Sequence, residues 1–218
     1  MSDVNKAGPR RRYQSSVRTE GARRTRQAIV SAATRLFVDR GYAATSLADI
    51  ATAAGVARPT VFAAFGSKAA LLRQVLDEAL AGDDAPVPVA QRPWFRPVWD
   101  AVSPGAVLDA YAGVCLIIAR RSALLFEAVR RATDDAAESA EMWKTLQQNR
   151  RLGAKMVIEQ VLKVGGLKSG LERETAIDIL WIFNDPAQYA ALVLDRGWSE
   201  RKFRRWLASA MCAALIDA

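Results

Sequence analysis

The sequence predicts an all-α protein with a small N-terminal head and a larger helical body. Three observations carry this. Ala, Leu and Arg, all strong helix formers, dominate a chain with few alternating, strand-like runs. From about Arg23 onward, apolar residues recur at spacings of three and four. Between Gly82 and Gly105, Pro86, Pro88, Pro93, Pro97 and Pro104 forbid one regular helix and divide the pattern in two. The expected units are a basic arm over 1–22, a head over 23–82 and a body over 83–218.

The arm is polar, rich in Gly, Ser and Arg, and predicted to be disordered in isolation. The first helix is expected from about Arg23 to Arg40, with Ile29, Ala33, Leu36 and Phe37 on one face and Gly41 as its stop. A second starts at Thr45-Ser46, where Ser46 and Asp49 have capping-box spacing and Ile50, Ala51 and Ala54 form the apolar stripe. Gly55 supplies the left-handed position of a tight turn. A third helix spans about Arg58 to Phe65, with Pro59 tolerated in its first turn and Val61 and Phe65 directed inward. A fourth runs from Ser67 to about Leu80. Helix, tight turn, helix is the arrangement that offers one short helix to a DNA major groove.

In the proline-rich stretch, Trp94, Phe95 and Trp99 are expected to dock on the body. Helices follow near 106–119, 122–132, 135–164, 172–194 and 199–216. Gly165-Gly166 and Gly197 are the breaks, Ser199 caps the last helix, and Pro186, after Asn184-Asp185, kinks the fourth of these five.

The net charge of +8 is concentrated. Residues 1–26 carry Lys6, Arg10, Arg11, Arg12, Arg18, Arg23, Arg24 and Arg26 against Asp3 and Glu20. Residues 27–68 add Arg35, Arg40, Arg58 and Lys68 against Asp39 and Asp49, and beyond residue 68 the charges balance. An excess confined to arm and head is that of a polyanion-binding end. The arm is expected to add phosphate or minor-groove contacts, or else to be a solvated tail.

Cys115 and Cys212 sit in apolar helical stretches as small core residues, with no disulfide framework, which fits a reducing, cytoplasmic compartment. No leader is expected, and no apolar run is long enough to span a bilayer. The chain has no histidine, which removes His-based general-base, triad and zinc chemistry. With no nucleotide loop, and no paired carboxylates or metal spacing beside a nucleophile, an enzyme is not expected, nor a cofactor.

The stretch from about Arg23 to Leu76 resembles the TetR (tetracycline-repressor-like) family of transcription regulators. Its marks are Leu36-Phe37, Gly41-Tyr42, Thr45-Ser46, Ile50-Ala51, Ala54-Gly55-Val56, Pro59-Thr60, Phe65, Ser67-Lys68 and Leu71-Leu72. Arg196-Gly197-Trp198-Ser199 before the final helix is similar to a pattern in one branch of that family. The resemblance implies a helix-turn-helix DNA-binding head and a helical bundle for ligand binding and dimerisation. It implies a homodimer whose paired heads read a palindromic double-stranded DNA operator and are released by a small-molecule effector.

Thr45, Ser46 and Lys68 match family phosphate-contacting positions. The alternative for Thr45 and Ser46 is capping, which is compatible with phosphate contact, and for Lys68 it is a solvated surface lysine. Pro59 and Thr60 match the first turn of the recognition helix. Arg58 has the chemistry to bond guanine O6 and N7 together. Two departures thin this face. Ala57 replaces a small hydroxyl residue, and Phe62 with Ala63-Ala64 stands where a tyrosine and another large residue are common. Tyr111, Phe126, Met142, Trp143, Trp181, Phe183, Asn184, Asp185 and Tyr189 are the pocket candidates, each with core packing as the alternative. The last two helices, through Ala190, Leu194, Trp206, Ala210 and Leu215, are the expected dimer contact, with packing inside one subunit as the alternative. The competing function is a helical interaction or membrane-surface protein anchored by its basic arm.

Overall fold

The computed structural model describes residues 10–133 and 137–217. Among the described residues every regular element is helical, and the chain divides into two compact units, Met1–Val75 and Leu76–Ala218. The division falls inside a continuous helix rather than at the proline-rich stretch.

In the first unit, α1 is Arg10–Arg40, α2 Leu47–Ala54, α3 Arg58–Phe65, and α4, Lys68–Ala81, begins. Helix α1 starts at Arg10 rather than near Arg23. Residues 10–22 contain no proline and only Gly21 as a weak point, so nothing in the local propensity stops the helix. The arm's first nine residues lie outside the described residues. Ile29, Ala33, Phe37, Ile50, Val61, Leu71 and Leu72 are buried and form the core, whereas Leu36 is only half-buried.

The caps are those the sequence predicts. Ser46 N–H donates to Asp49 Oδ2 (2.9 Å) and Asp49 N–H donates to Ser46 Oγ (3.1 Å), a complete capping box. Ser46 Oγ also donates to Asp49 Oδ2 (2.6 Å), and this bond, followed by the one from Ser46 N–H, holds the Asp49 carboxyl below the usual carboxylate range. At the other end Gly55 is left-handed, at φ 66°. Val56 N–H donates to Ala51 O (3.0 Å) and Gly55 N–H to Thr52 O (3.2 Å), the two bonds of a Schellman turn.

In the second unit α4 ends at Ala81, and α5 (Arg96–Asp100) and α6 (Pro104–Arg131) follow. Then come α7 (Ala137–Val164), α8 (Arg173–Phe183), α9 (Pro186–Tyr189), a π turn over Ala190–Asp195, and α10 (Glu200–Leu215). Helix α6 packs against α5, α7, α9 and α10. It merges the two helices expected over 106–119 and 122–132. Arg120 and Arg121 read as a break, but nothing there interrupts the backbone, and Arg120 instead reaches Glu200 on α10 (2.7 Å). Pro186 splits the helix expected over 172–194, with Asp185 capping α9 through Ala187 N–H (2.9 Å). Gly165 lets α7 end beside the start of α6, since a Cβ there would lie 2.7 Å from Pro104 Cγ.

The proline-rich stretch is ordered by one buried guanidinium. Arg92, 5% exposed, pairs with both oxygens of Asp83 (2.6 and 2.7 Å) and donates to Val87 O (3.0 Å) and Ala85 O (2.8 Å). As expected, the aromatics dock: Phe95 stacks on Trp99 (4.9 Å), whose Nε1 donates to Ala90 O (2.7 Å). Arg92→Ala, which strands those carbonyls, is expected to lower the unfolding free energy by about 2 kcal/mol. Urea denaturation followed by circular dichroism measures it; an unchanged midpoint would show that Arg92 does not organise the stretch.

Candidate functional site

Helix α3 has an inner and an outer side. Val61 is fully buried and Phe65 half-buried, while Arg58, Pro59, Thr60, Phe62 and Ala63 are exposed. Ala57, its N-cap, offers no side-chain bond, as its methyl dictates. Arg58 makes no hydrogen bond or ion pair among the described residues, so its guanidinium fork is unspent.

Two cations brace the helices of the head, and one of them, Arg26, holds the end of α3. Lys68 Nζ donates to Tyr42 O (2.9 Å) and Thr45 O (3.0 Å) and lies 4.1 Å from the centre of the Tyr42 ring. Burial lowers its pKa. It therefore ties the start of α4 to the loop before α2, with two of its three N–H groups already used, and is neither a solvated lysine nor a wholly free phosphate ligand. Arg26 donates to Ala64 O (3.1 Å) and Gln74 Oε1 (2.8 Å), with its guanidinium 4.3 Å from the Phe65 ring centre. Its charge belongs to the head's interior rather than to the arm.

Thr45 also turns inward. It is 1% exposed, and its hydroxyl faces Gly41 O (2.8 Å) and Leu36 O (3.2 Å). The side chain therefore locks the end of α1 to the start of α2. Ser46 remains exposed at the N-terminus of α2.

In the second unit, Tyr111, Trp181, Asn184 and Asp185 come together around Arg150, a residue the sequence reading missed. Arg150 Nε donates to Asn184 Oδ1 (3.2 Å) and Nη2 to Trp181 O (2.7 Å), Nη1 pairs with Asp185 Oδ2 (3.0 Å), and Gln147 accepts a further bond. Asn184 Nδ2 donates to Tyr111 Oη (3.0 Å). Burial pushes the Tyr111 phenol up and the Cys115 thiol up to about 12, so both are neutral and protonated at pH 7. The signal for Arg150 was present: it lies four residues from Leu146 and from Ala154, in the buried stripe of α7. Arg26, three before Ile29, and Lys68, three before Leu71, fall on stripes in the same way.

The other pocket candidates lie elsewhere. Phe126 and Met142 are buried, and Trp143 meets Phe126 edge-on (6.2 Å). Phe183 is half-buried against the core. Tyr189 packs edge-on against Phe203 (5.6 Å) and donates to Glu200 Oε1 (2.9 Å).

Comparison with known proteins places this geometry. Residues 29–75 match the family model described as bacterial regulatory proteins, tetR family. The head, over residues 29–75, is therefore similar to the DNA-binding region of the tetR family. The chain is 48% identical over 58 residues to the HTH-type transcriptional regulator TtgR of Pseudomonas putida, 27% of this chain and 28% of that one. It is 40% identical over 90 residues to the HTH-type transcriptional repressor Rv3405c of Mycobacterium tuberculosis, 38% and 47% of the two chains. The matched region thus spans less than half the length of these curated relatives. Among solved structures, the SmeT–triclosan complex shares the fold at a TM-score of 0.67, with 18% identity over 88% of this chain and 92% of SmeT.

Among the described residues the fold is the all-helical one expected, a helix-turn-helix head with a helical C-terminal unit. Of the residues expected at a dimer contact, Leu215 is fully buried within its own subunit, because α10 turns that face onto the core. Trp206 is half-buried between Trp198 (6.1 Å) and Phe203 (5.9 Å). Ala190 and Ala210 are half-buried and Leu194 is 47% exposed.

Lys68→Met, which keeps the stem and removes the ammonium, is expected to destabilise the head by about 1–3 kcal/mol by stranding the Tyr42 and Thr45 carbonyls. Arg58→Ala is expected to change stability by less than about 0.5 kcal/mol. Amide hydrogen exchange of α1–α3 tests both, and equal protection in Lys68→Met and wild type would refute the internal role.

Proposed function

We propose that this chain is a transcriptional repressor that reads a palindromic operator as a homodimer and is released by a small-molecule effector. The observation that carries it is the outward face of α3: Arg58 and Thr60 exposed on a helix whose inner side is held by buried Val61 and by Arg26. An unspent guanidinium can take guanine O6 and N7 together, worth about 1–3 kcal/mol of discrimination. Ser46 and the third N–H of Lys68 are the phosphate contacts, Pro59 fixes the first turn, and groove shape supplies the remaining selectivity. The names of TtgR and Rv3405c support a regulator and a repressor. Paired heads spaced about one DNA turn, or roughly 34–36 Å, would meet consecutive major grooves. No helix among the described residues is long and apolar enough to cross a membrane, and nothing favours the membrane-surface reading.

The effector site we assign is the Arg150 cluster with Tyr111, Trp181, Asn184 and Asp185. It combines aromatic walls with convergent polar groups at a helix break, the composition of small-molecule sites. That SmeT, of the same fold, is solved with triclosan supports a small-molecule site. The dimer contact we assign runs along the outer sides of α8 and the turn after α9, where Ile182 (57%) and Leu194 (47%) are exposed. An open groove formed by Arg151, Thr175, Asp178, Ile179, Trp181 and Ile182 continues that surface.

Selection from the DNA flanking its own gene, repeated with candidate effectors, tests the whole reading. Arg58→Ala is expected to reduce the ratio of specific to non-specific binding by about 1–3 kcal/mol. An equal loss on every sequence would leave Arg58 as a phosphate contact only. Ile182→Glu is expected to give a folded monomer by analytical ultracentrifugation; a dimer of unchanged strength would place the interface elsewhere.

A further inference from the structure

The outer face of α3 also has an apolar component that guanidinium readout leaves unused. Phe62 is 62% exposed, and Ala63 beside it is exposed. The core takes Val61 and half of Phe65 from this helix, so Phe62 is not needed there. A phenyl ring has no hydroxyl with which to bind a phosphate. Its position is specific: Phe62 lies four residues after Arg58, so the two side chains sit one above the other on the same face. In the major groove the apolar group that base pairs offer is the C5 methyl of thymine.

We propose that Phe62 is a specificity-determining residue that reads thymine by packing its ring on the C5 methyl. Four helical residues rise by about 6 Å at roughly 1.5 Å each, and base pairs step by about 3.4 Å. The thymine therefore lies within about two base pairs of the guanine held by Arg58. The occupant is DNA rather than a protein because the same face carries the unspent Arg58 cation, in the part of the chain that holds all the excess positive charge. The inference rests on the DNA-reading role of α3 and sharpens it from a cationic face to a mixed one. With Pro59 and Ala63 forming a low second row, the helix can approach the groove floor closely enough for an apolar contact.

The test starts from duplexes enriched by the full-length protein from a random-sequence pool. The winning duplex is resynthesised with uracil replacing thymine at one position at a time, which deletes the methyl and keeps every hydrogen-bonding group. Wild type is expected to lose about fourfold in affinity, the cost of one buried methyl, at a thymine near the Arg58 guanine. Phe62→Ala, folded by circular dichroism because the ring is exposed, is expected to bind the uracil and thymine duplexes equally. A selected duplex that tolerates uracil at every position would overturn the proposal while leaving DNA reading intact. So would a uracil penalty of the same size in wild type and Phe62→Ala, since another residue would then read the methyl. Enrichment of no duplex would overturn both this proposal and the DNA-reading role beneath it.

Discussion

A cation taken out of water must be met by acceptors, and this chain uses that constraint at four places. Lys68 closes the loop between α1 and α2 through two carbonyls, and Arg26 closes the end of α3 through Ala64 and Gln74. Arg92 gathers the proline-rich stretch onto Asp83 and two carbonyls, while Arg150 gathers Trp181, Asn184 and Asp185 at the helix break. Each stands at a place where the backbone leaves regular structure and carbonyls would otherwise lack partners. A hydrogen bond to a charged donor contributes about 1.5–3 kcal/mol, more than a neutral one. The exposed pairs, such as Arg24–Glu20 and Arg96–Asp100, contribute little by comparison.

That division of labour explains how a short helix can present a specific surface. Helix α3 has eight residues, too few to be stable alone, and no side-chain cap. Its conformation is imposed by Val61 in the core, the Gly55 turn before it, and the Arg26 tether at its end. Once its back is held in that way, its front need not contribute to stability. Arg58, Thr60 and Phe62 are therefore spared from holding the head together.

The same division sets what could be seen from sequence. Caps and turns were legible because their chemistry is local: Ser46 with Asp49, Gly55, Pro186 after Asp185, and Ser199 all act within a few residues of their positions. Roles that depend on direction were not. That the Thr45 hydroxyl bonds inward, to Gly41 and Leu36, could not be read from its place in the pattern. Leu215 belonged by pattern to an outer face, and α10 turns it onto the core. Arg120-Arg121 fell between two expected helices, yet an arginine on a helix surface costs the backbone nothing and α6 runs through them. Arg150 was overlooked because a charged residue was not expected on an apolar stripe, yet its register with Leu146 and Ala154 had already placed it there.

The sequence by itself determined the all-helical class, the helix-turn-helix head with its caps, and the concentration of positive charge at one end. Those follow from propensity, periodicity and counting, which need only neighbours along the chain. Tertiary structure alone decided which cations work inward and which stay exposed. Arg26, Lys68 and Arg58 are all cations of the head, and only the packing of α1, α3 and α4 separates the two clamps from the one that faces outward. The gathering of Tyr111, Asn184 and Arg150 was decided there too, because it joins α6, α7 and the end of α8 across separations that no local rule can span.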